Sequence, residues 1–263
     1  MLERKPTLAR KDEELTKDIL NEIFQLMIDI DEEIDEEWMS PKEGFAGVAD
    51  EDNVNFGKNA IDRLVEGVGD EKMLPLIGQL VQTTIANEAD WRYKHAGIMA
   101  FSQVGEYVDE IEKIGGMMPT IVQHVGHANP KIRYAALHAI GQLADDLPND
   151  FQKTHHATVL PAMVAALDDE VPRVQAHACA AITNFSENAT KEMLSPHLQA
   201  LSAKFGQLIQ TGISITKEGA TTALGTFVEK IGADFVPHFS ETIAFLISNL
   251  TTFAGPEYKQ FRG

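Results

Sequence analysis

Residues 130–146 read Pro-Lys-Ile-Arg-Tyr-Ala-Ala-Leu-His-Ala-Ile-Gly-Gln-Leu-Ala-Asp-Asp. Apolar side chains recur in this stretch every three or four residues, which is the spacing of an amphipathic helix. At its centre a small residue, Ala139, precedes the larger Ile140, and Leu143 follows three residues further on. This small-large-large pattern is the unit that the rest of the chain repeats.

The pattern occurs five times along the chain. Its last members lie 40, 39, 42 and 42 residues apart, at Leu64, Val104, Leu143, Phe185 and Phe227. A period of about 40–47 residues is typical of HEAT and armadillo units, each a pair of packed helices. No stretch alternates apolar and polar residues as a strand does. The sequence therefore predicts an all-α fold, a HEAT-repeat α-solenoid built as a superhelical array of antiparallel helix pairs.

Five of the six predicted first helices, all except 12–30, carry a proline in an apolar context, and a proline inside a helix bends it. These prolines are Pro75, Pro119, Pro161, Pro196 and Pro237. The predicted pairs are 12–30 with 52–68, 70–87 with 90–108, 111–127 with 130–146, 149–168 with 171–188, and 190–211 with 215–231, followed by a lone first helix at 233–252.

We expect one array over residues 1–263, with an acidic insertion at about 29–52. Its predicted repeats are 1–69, 70–109, 110–147, 148–189, 190–231 and a partial repeat at 232–263. Natural arrays end in capping repeats with a polar outer face, and neither end of this sequence shows one. We therefore expect a central block of a longer array.

The charge balance limits the possible partners. Lysine and arginine number 22 and aspartate and glutamate 40, which gives a formal net charge of −18. Such a field disfavours nucleic acid and anionic membranes, since a phosphate surface needs a basic footprint, and it favours basic partners. No apolar run approaches the roughly 20 residues that span a bilayer. The single cysteine, Cys179, cannot form an internal disulfide, and this together with the charged N-terminus predicts a reducing compartment, the cytosol or nucleus.

Three short strings resemble a known family. They are Asp-Trp-Arg-Tyr-Lys-His-Ala-Gly at 90–97, Pro-Lys-Ile-Arg-Tyr-Ala-Ala at 130–136 and Arg-Val-Gln-Ala-His-Ala at 173–178. They resemble the importin-beta (karyopherin-beta) nuclear transport receptors, and among these the karyopherin beta-3 type. The resemblance runs over essentially the whole chain and includes the insertion.

The resemblance implies nuclear import by shuttling between cytoplasm and nucleus. Receptors of this family bind basic, lysine-rich localisation signals of cargo proteins on an acidic concave surface. They pass the nuclear pore on nucleoporin FG repeats and release cargo to the Ran GTPase. The main Ran site of the family lies in N-terminal repeats, outside this segment.

The repeat register places polar residues in a column on the second helices, which line the concave face of a HEAT superhelix. Two residues past the anchors stand Glu106, Asp145 and Glu187, and one residue before them stand Gln103, Gln142 and Asn184. Asp109 and Asp146 add charge. Carboxylates bind ammonium groups and amides bond a peptide backbone, so the column is the predicted cargo-binding site. The alternative is a row of solvated helix ends.

The insertion holds eleven acidic side chains between residues 29 and 52, and Lys42 is its one basic residue. Its acidic run is Asp31, Glu32, Glu33, Asp35, Glu36 and Glu37. Repulsion keeps such a run extended, while Trp38 and Phe45 offer apolar anchors. One interpretation is a functional loop that competes for basic cargo, steers it or contacts Ran. The alternative is a tolerated, solvated insertion.

The sequence offers no catalytic, cofactor or metal site. Histidines at 124, 127, 155 and 156 lack the converging ligands that zinc requires, and His177 and Cys179 lie among small residues as packing side chains. We therefore expect a protein that is not an enzyme. Two alternatives remain open: a HEAT scaffold that assembles folded partners rather than binding peptides, and an enzyme with a diffuse active site.

Overall fold

The computed structural model describes residues 12–42, 52–108 and 110–236. This part of the chain contains α-helices and short 3-10 helices and no strand. The α-helices are α1 (Glu13–Ile28), α2 (Glu36–Met39), α3 (Asp52–Val68), α4 (Asp70–Ile85), α5 (Trp91–Phe101), α6 (Glu112–Gly115), α7 (Met118–His124), α8 (Pro130–Asp146), α9 (Asp150–Ala166), α10 (Pro172–Glu187), α11 (Lys191–Leu194), α12 (Leu198–Thr211) and α13 (Ser214–Ile231). None of these helices combines the length and apolar character that crossing a bilayer requires.

The chain divides into two compact units. The first contains the described residues up to Ile34 and those from Asp52 to Leu147, and the second contains Asp35–Lys42 and the described residues from Pro148 onward. In the first unit, α1 packs on α3, α4 on α5, and α7 on α8, and α5 also packs on α8. In the second unit, α9 packs on α10 and α12 on α13, and α10 packs on α13. Each unit therefore stacks helix pairs through their second helices.

The helix boundaries follow the capping residues. Asp90 accepts a hydrogen bond from the Arg92 amide at 3.0 Å and starts α5, and Asn129 accepts one from the Lys131 amide at 2.8 Å and starts α8. Such caps satisfy amides that a helix start leaves free. Helix α3 and helix α8 have the predicted bounds, and the ends of α4, α9, α10 and α13 fall within two residues of the predictions.

The repeat anchors form the core. Leu64 and Leu143 are at most 1% exposed in the first unit, as are Phe185 and Phe227 in the second. In the second unit each anchor ring meets a ring of its pair's first helix edge-on: Phe151 and Phe185 have centroids 6.5 Å apart, and Phe205 and Phe227 6.4 Å. Such ring pairs contribute about 0.5–1.5 kcal/mol beyond the burial of their surface. The period thus places one large side chain per repeat at the helix-pair interface.

The prolines play two different roles. Pro75 and Pro161 lie inside α4 and α9 as predicted. Pro119 instead lies in the first turn of α7, and Pro196 lies in a 3-10 turn (Ser195–His197) ahead of α12. The prediction of a bend inside one continuous helix was therefore wrong for these two repeats, because proline at a helix start replaces an amide that needs no partner. Pro237 and nearly all of the predicted helix 233–252 lie outside the described residues.

Helix α5 is shorter than predicted. It ends at Phe101, where the Ser102 hydroxyl donates to the Met99 carbonyl at 2.7 Å. A 3-10 turn, Gly105–Tyr107, follows in place of two further helical turns. The prediction of a helix to residue 108 was wrong, because the amides of Gln103, Val104, Tyr107 and Val108 bond to carbonyls three residues back rather than four.

Candidate functional site

The first unit gathers carboxylates from three successive second helices. Asp62 and Glu66 stand on α3, Glu106 on the 3-10 turn that follows α5, and Asp145 and Asp146 at the end of α8. Asp62 and Asp146 are half-buried, and the other three side chains are exposed. We call these five residues the carboxylate cluster.

The 3-10 turn holds the cluster together. The Tyr107 hydroxyl donates to the Asp62 carbonyl at 3.5 Å, which ties the turn to α3. On its other side the turn packs against α8 so closely that a Cβ on Gly105 would lie 2.8 Å from Asp146 Oδ2 and 2.9 Å from Leu143 Cδ2. A side chain at residue 105 would therefore force Asp146 and Leu143 to move, and glycine permits the close approach.

Burial and mutual repulsion raise the pKa of both half-buried carboxyl groups. For Asp62 the causes are desolvation, then Glu106 and Glu66, and Lys58 offsets them only in part, so that the pKa rises to about 6. For Asp146 desolvation again comes first, and Asp145, Glu106 and Asp62 add to it. The hydrogen bond that Gln142 Nε2 donates to Asp146 Oδ1 at 2.8 Å opposes this shift, yet the pKa still rises to about 6.

Tyr107 is subject to the same field. Burial raises the pKa of its hydroxyl, and Asp62, Glu106 and Glu66 raise it further. Like charges held together in a partly desolvated site favour the arrival of a cation. The cluster is therefore suited to bind positively charged groups.

The structure brings together some of the residues predicted as a column. Glu106, Asp145 and Asp146 meet in the carboxylate cluster, and Gln142 is bonded to Asp146. Gln103 donates to the Ser102 hydroxyl at 2.9 Å. Asp109 lies outside the described residues.

Asp62 and Glu66 were missed. Glu66 stands two residues past the anchor Leu64, so the register that selected Glu106 and Asp145 would have found it if extended to the first copy. Asp62 precedes that anchor by two residues and falls outside the register. Only its contact with the Tyr107 turn reveals it.

Asn184 and Glu187 lie near the end of α10, in the second unit. Asn184 is half-buried and Glu187 exposed. The Glu187 carbonyl accepts a hydrogen bond from Lys230 Nζ at 2.5 Å, which links the ends of α10 and α13. Their role in cargo binding stays a prediction.

The acidic insertion makes specific contacts. Glu32 pairs with Arg92 at 2.8 Å, the Asp31 carboxylate accepts from the Glu33 amide at 3.1 Å, and the Asp35 carboxylate accepts from the Trp38 amide at 2.7 Å. Glu33, Glu36 and Glu37 are exposed. Phe45, predicted as an anchor, lies outside the described residues.

The histidines pack rather than converge. His124 and His127 stack with ring centroids 5.7 Å apart, and His155 packs against Phe151 at 5.2 Å. Cys179 is fully buried, and burial raises the pKa of its thiol. Among the described residues, no group of three histidine, cysteine or acidic side chains is arranged to hold a metal ion.

Family comparisons match two parts of the sequence. An importin repeat model matches residues 1–75, and a HEAT repeat model matches residues 118–204. Among curated proteins, importin subunit beta-3 of Saccharomyces cerevisiae is 28% identical over 236 residues, which cover 87% of this chain and 21% of the relative. Probable importin subunit beta-4 of Schizosaccharomyces pombe is 26% identical over 174 residues, covering 65% of this chain and 16% of the relative. The chain thus spans about a fifth of the length of the first relative and about a sixth of the second.

Solved structures match the fold. Crystal structures of Kap121p bound to Pho4p and to Nup53p each superpose with a TM-score of 0.85 at 24% sequence identity. The matches cover 94% and 95% of this chain and 24% of each Kap121p chain. These comparisons confirm the predicted class, an all-α HEAT-repeat solenoid. The importin repeat match and the importin relatives also support the resemblance to the importin-beta (karyopherin-beta) family that the sequence indicated.

Proposed function

We propose that this chain is a segment of a nuclear import receptor and that it binds the basic, lysine-rich localisation signals of cargo proteins. The observation that carries the proposal is the carboxylate cluster, in which Asp62 and Asp146 have a pKa raised to about 6. Their repulsion opposes the charged state of an empty site. A lysine ammonium group removes that repulsion on binding, so the cluster favours the bound state.

The chemistry of the site matches an extended basic peptide. The exposed carboxylates of Glu66, Glu106 and Asp145 are free to accept from ammonium groups, while Gln103 and Gln142 offer amides for the peptide backbone. Binding a cation lowers the pKa of Asp62 and Asp146, so cargo binding near pH 6 releases protons. In the second unit we propose that Asn184 and Glu187 bind basic side chains in the same way.

The relatives support the choice of partners. Kap121p has been crystallised with Pho4p and with Nup53p bound. We propose by analogy that the protein containing this segment binds cargo proteins, nucleoporins with FG repeats and the Ran GTPase, and that it shuttles between cytoplasm and nucleus. The proposal assigns no catalytic step and no cofactor to the chain.

The test is a titration of a fluorescent lysine-rich peptide against the chain, by anisotropy at low and physiological salt. The test variant is Asp62→Asn/Glu106→Gln/Asp146→Asn. The matched control is Asp70→Asn/Glu71→Gln with Glu112→Gln, which removes the same charge from exposed positions on the first helices α4 and α6. The test variant should weaken binding about tenfold, equivalent to about 1.4 kcal/mol, and the control should change affinity far less.

The salt dependence of peptide affinity provides a second test of the proposed binding site. Exposed charges are screened over about 8 Å at physiological ionic strength, so the wild-type affinity should fall as salt rises, and less steeply for the test variant. Equal losses in the test and control variants would mean that net charge alone attracts the peptide. Absence of binding at both salt concentrations would favour the HEAT scaffold for folded partners.

A further inference from the structure

Three second helices carry a cation at their second residue. These are Arg92 on α5, Lys131 on α8 and Arg173 on α10. A helix N-terminus is the positive end of the helix dipole, so a cation there is unfavourable for the helix itself. Lys131 is 3% exposed and Arg173 7% exposed, which adds a desolvation cost. Their presence calls for a partner that offers negative charge or a π-face.

In the first unit, the start of the acidic insertion adds to the partners of these cations. Arg92 Nη2 pairs with Asp90 of its own helix start at 2.7 Å and also with Glu32 at 2.8 Å. Lys131 Nζ donates to the Asp31 carbonyl at 3.3 Å and lies 5.6 Å from the centre of the Trp91 ring. Acidic side chain, carbonyl and indole thus surround the two cations.

In the second unit, the next part of the insertion does the same. The Arg173 guanidinium carbon lies 4.8 Å from the centre of the Trp38 ring, within the range of a cation–π contact. The Asp35 carboxylate caps α2 and thereby holds Trp38 on its helical turn. Residues of one short segment therefore cover a second-helix cation in each unit.

We propose that residues 29–40 are an internal ligand of these cations within each unit, and that in the second unit an acidic segment of a partner protein bearing an aromatic residue competes with Trp38 for Arg173. The residues are hereafter the acidic strap. The strap keeps the cations covered, and its release exposes positions that accept carboxylates and an aromatic ring. This proposal does not rest on the carboxylate cluster, which attracts the opposite charge.

Tryptophan fluorescence tests the proposal, because Trp38 and Trp91 are the two tryptophans of the chain. In a Trp91→Phe background the emission and acrylamide quenching of Trp38 report the docking of the strap. The competitor is a synthetic peptide of residues 29–42 carrying Trp38→Phe, which is silent at these wavelengths. The control competitor is the same peptide with its aspartates and glutamates changed to the corresponding amides.

Excess acidic competitor should shift Trp38 emission to longer wavelength and raise its quenching toward that of the free 29–42 peptide with its tryptophan intact. The amide peptide should leave both unchanged, and Arg173→Gln should produce the released signal without a competitor. Circular dichroism checks that each variant keeps its helices. If Trp38 in the chain that keeps Arg173 is quenched as strongly as in the free peptide, the docking of Trp38 on Arg173 is refuted. If its quenching is low but excess acidic competitor does not change it, the competition by an acidic segment is refuted.

Discussion

Replacing Asp146 with asparagine should make the protein more stable and its cargo binding weaker. Asparagine keeps the shape of the side chain and an oxygen that accepts the hydrogen bond from Gln142. It removes a charge that is half-buried and repelled by Asp145, Glu106 and Asp62. Under the proposed function the charge is favourable only when a cation is bound, so its loss should stabilise the protein that has no cation bound.

The magnitude follows from the pKa of the Asp146 carboxyl. A rise from 3.8 to about 6 corresponds to about 3 kcal/mol at about 1.4 kcal/mol per pKa unit. Because the side chain is only half-buried, solvent screening reduces this figure to about 1 kcal/mol. For a chain of this size that is an increase in Tm of about 2–4 °C.

The pH dependence distinguishes this cause from any general effect of the substitution. Between pH values of about 4 and 6 the native state binds more protons at Asp146 than the unfolded state, so this group makes stability fall as pH rises. At pH 7.5 the variant should melt higher than the wild type, and at pH 5, about midway between the unfolded and native pKa values of Asp146, the difference should be about half as large. Differential scanning calorimetry at both pH values measures the difference, with Asp70→Asn, an exposed position outside the carboxylate cluster, as the matched control. A lower Tm at pH 7.5, or an equal difference at both pH values, would refute the reasoning.

Three further outcomes are expected. Gly105→Ala should destabilise the chain by about 1–3 kcal/mol and weaken peptide binding, because the added Cβ would press on Asp146. The control Gly206→Ala lies inside α12 with open space around it and should stabilise the chain by up to about 1 kcal/mol. Thermal melts compare the two variants. Burial, followed by the charges of His124 and Lys94, lowers the pKa of His127, so the contribution of this group to stability should fall as pH drops below about 6.5. The His127→Gln variant should therefore lose less stability than the wild type between pH 7.5 and 5, as thermal melts would show. The buried Cys179 thiol should resist a thiol reagent in the native chain and react fully in denaturant, and rapid native labelling would contradict its burial.

The helical period was predictable because it depends on local spacing. Anchors at Leu143 and Phe185 are buried because one large side chain per repeat must fill the space within a helix pair. The C-terminal end of α5 was not predictable in the same way. Its early termination depends on the Ser102 hydroxyl and on the close approach of Gly105 to α8, and that approach involves residues about forty positions apart.

The candidate site was predictable only in part. The register identified Glu106 and Asp145, since they occupy the same position in successive repeats. It missed Asp62, because the contact that brings α3 to the cluster runs through the hydroxyl of Tyr107. The contacts of the acidic strap could not be predicted from the sequence either. Asp31 accepts a hydrogen bond from Lys131, which lies a hundred residues later. A run of like charges indicates mutual repulsion, but it does not identify the cations that it contacts.

The short α5 also limits how far the repeats are interchangeable. Helices α3, α8, α10 and α13 have 17, 17, 16 and 18 residues, whereas α5 has 11 and is followed by the 3-10 turn Gly105–Tyr107. In a repeat protein the stability is close to a sum of intrinsic and nearest-neighbour contributions. The interface between α5 and α8 therefore differs from the other interfaces between second helices in the described residues. Duplicating or transplanting the repeat that contains α5 would place its 3-10 turn against a surface that does not match it, and deleting that repeat would leave α8 without this contact. Versions of the protein with fewer or more repeats should therefore be made by changing a different repeat.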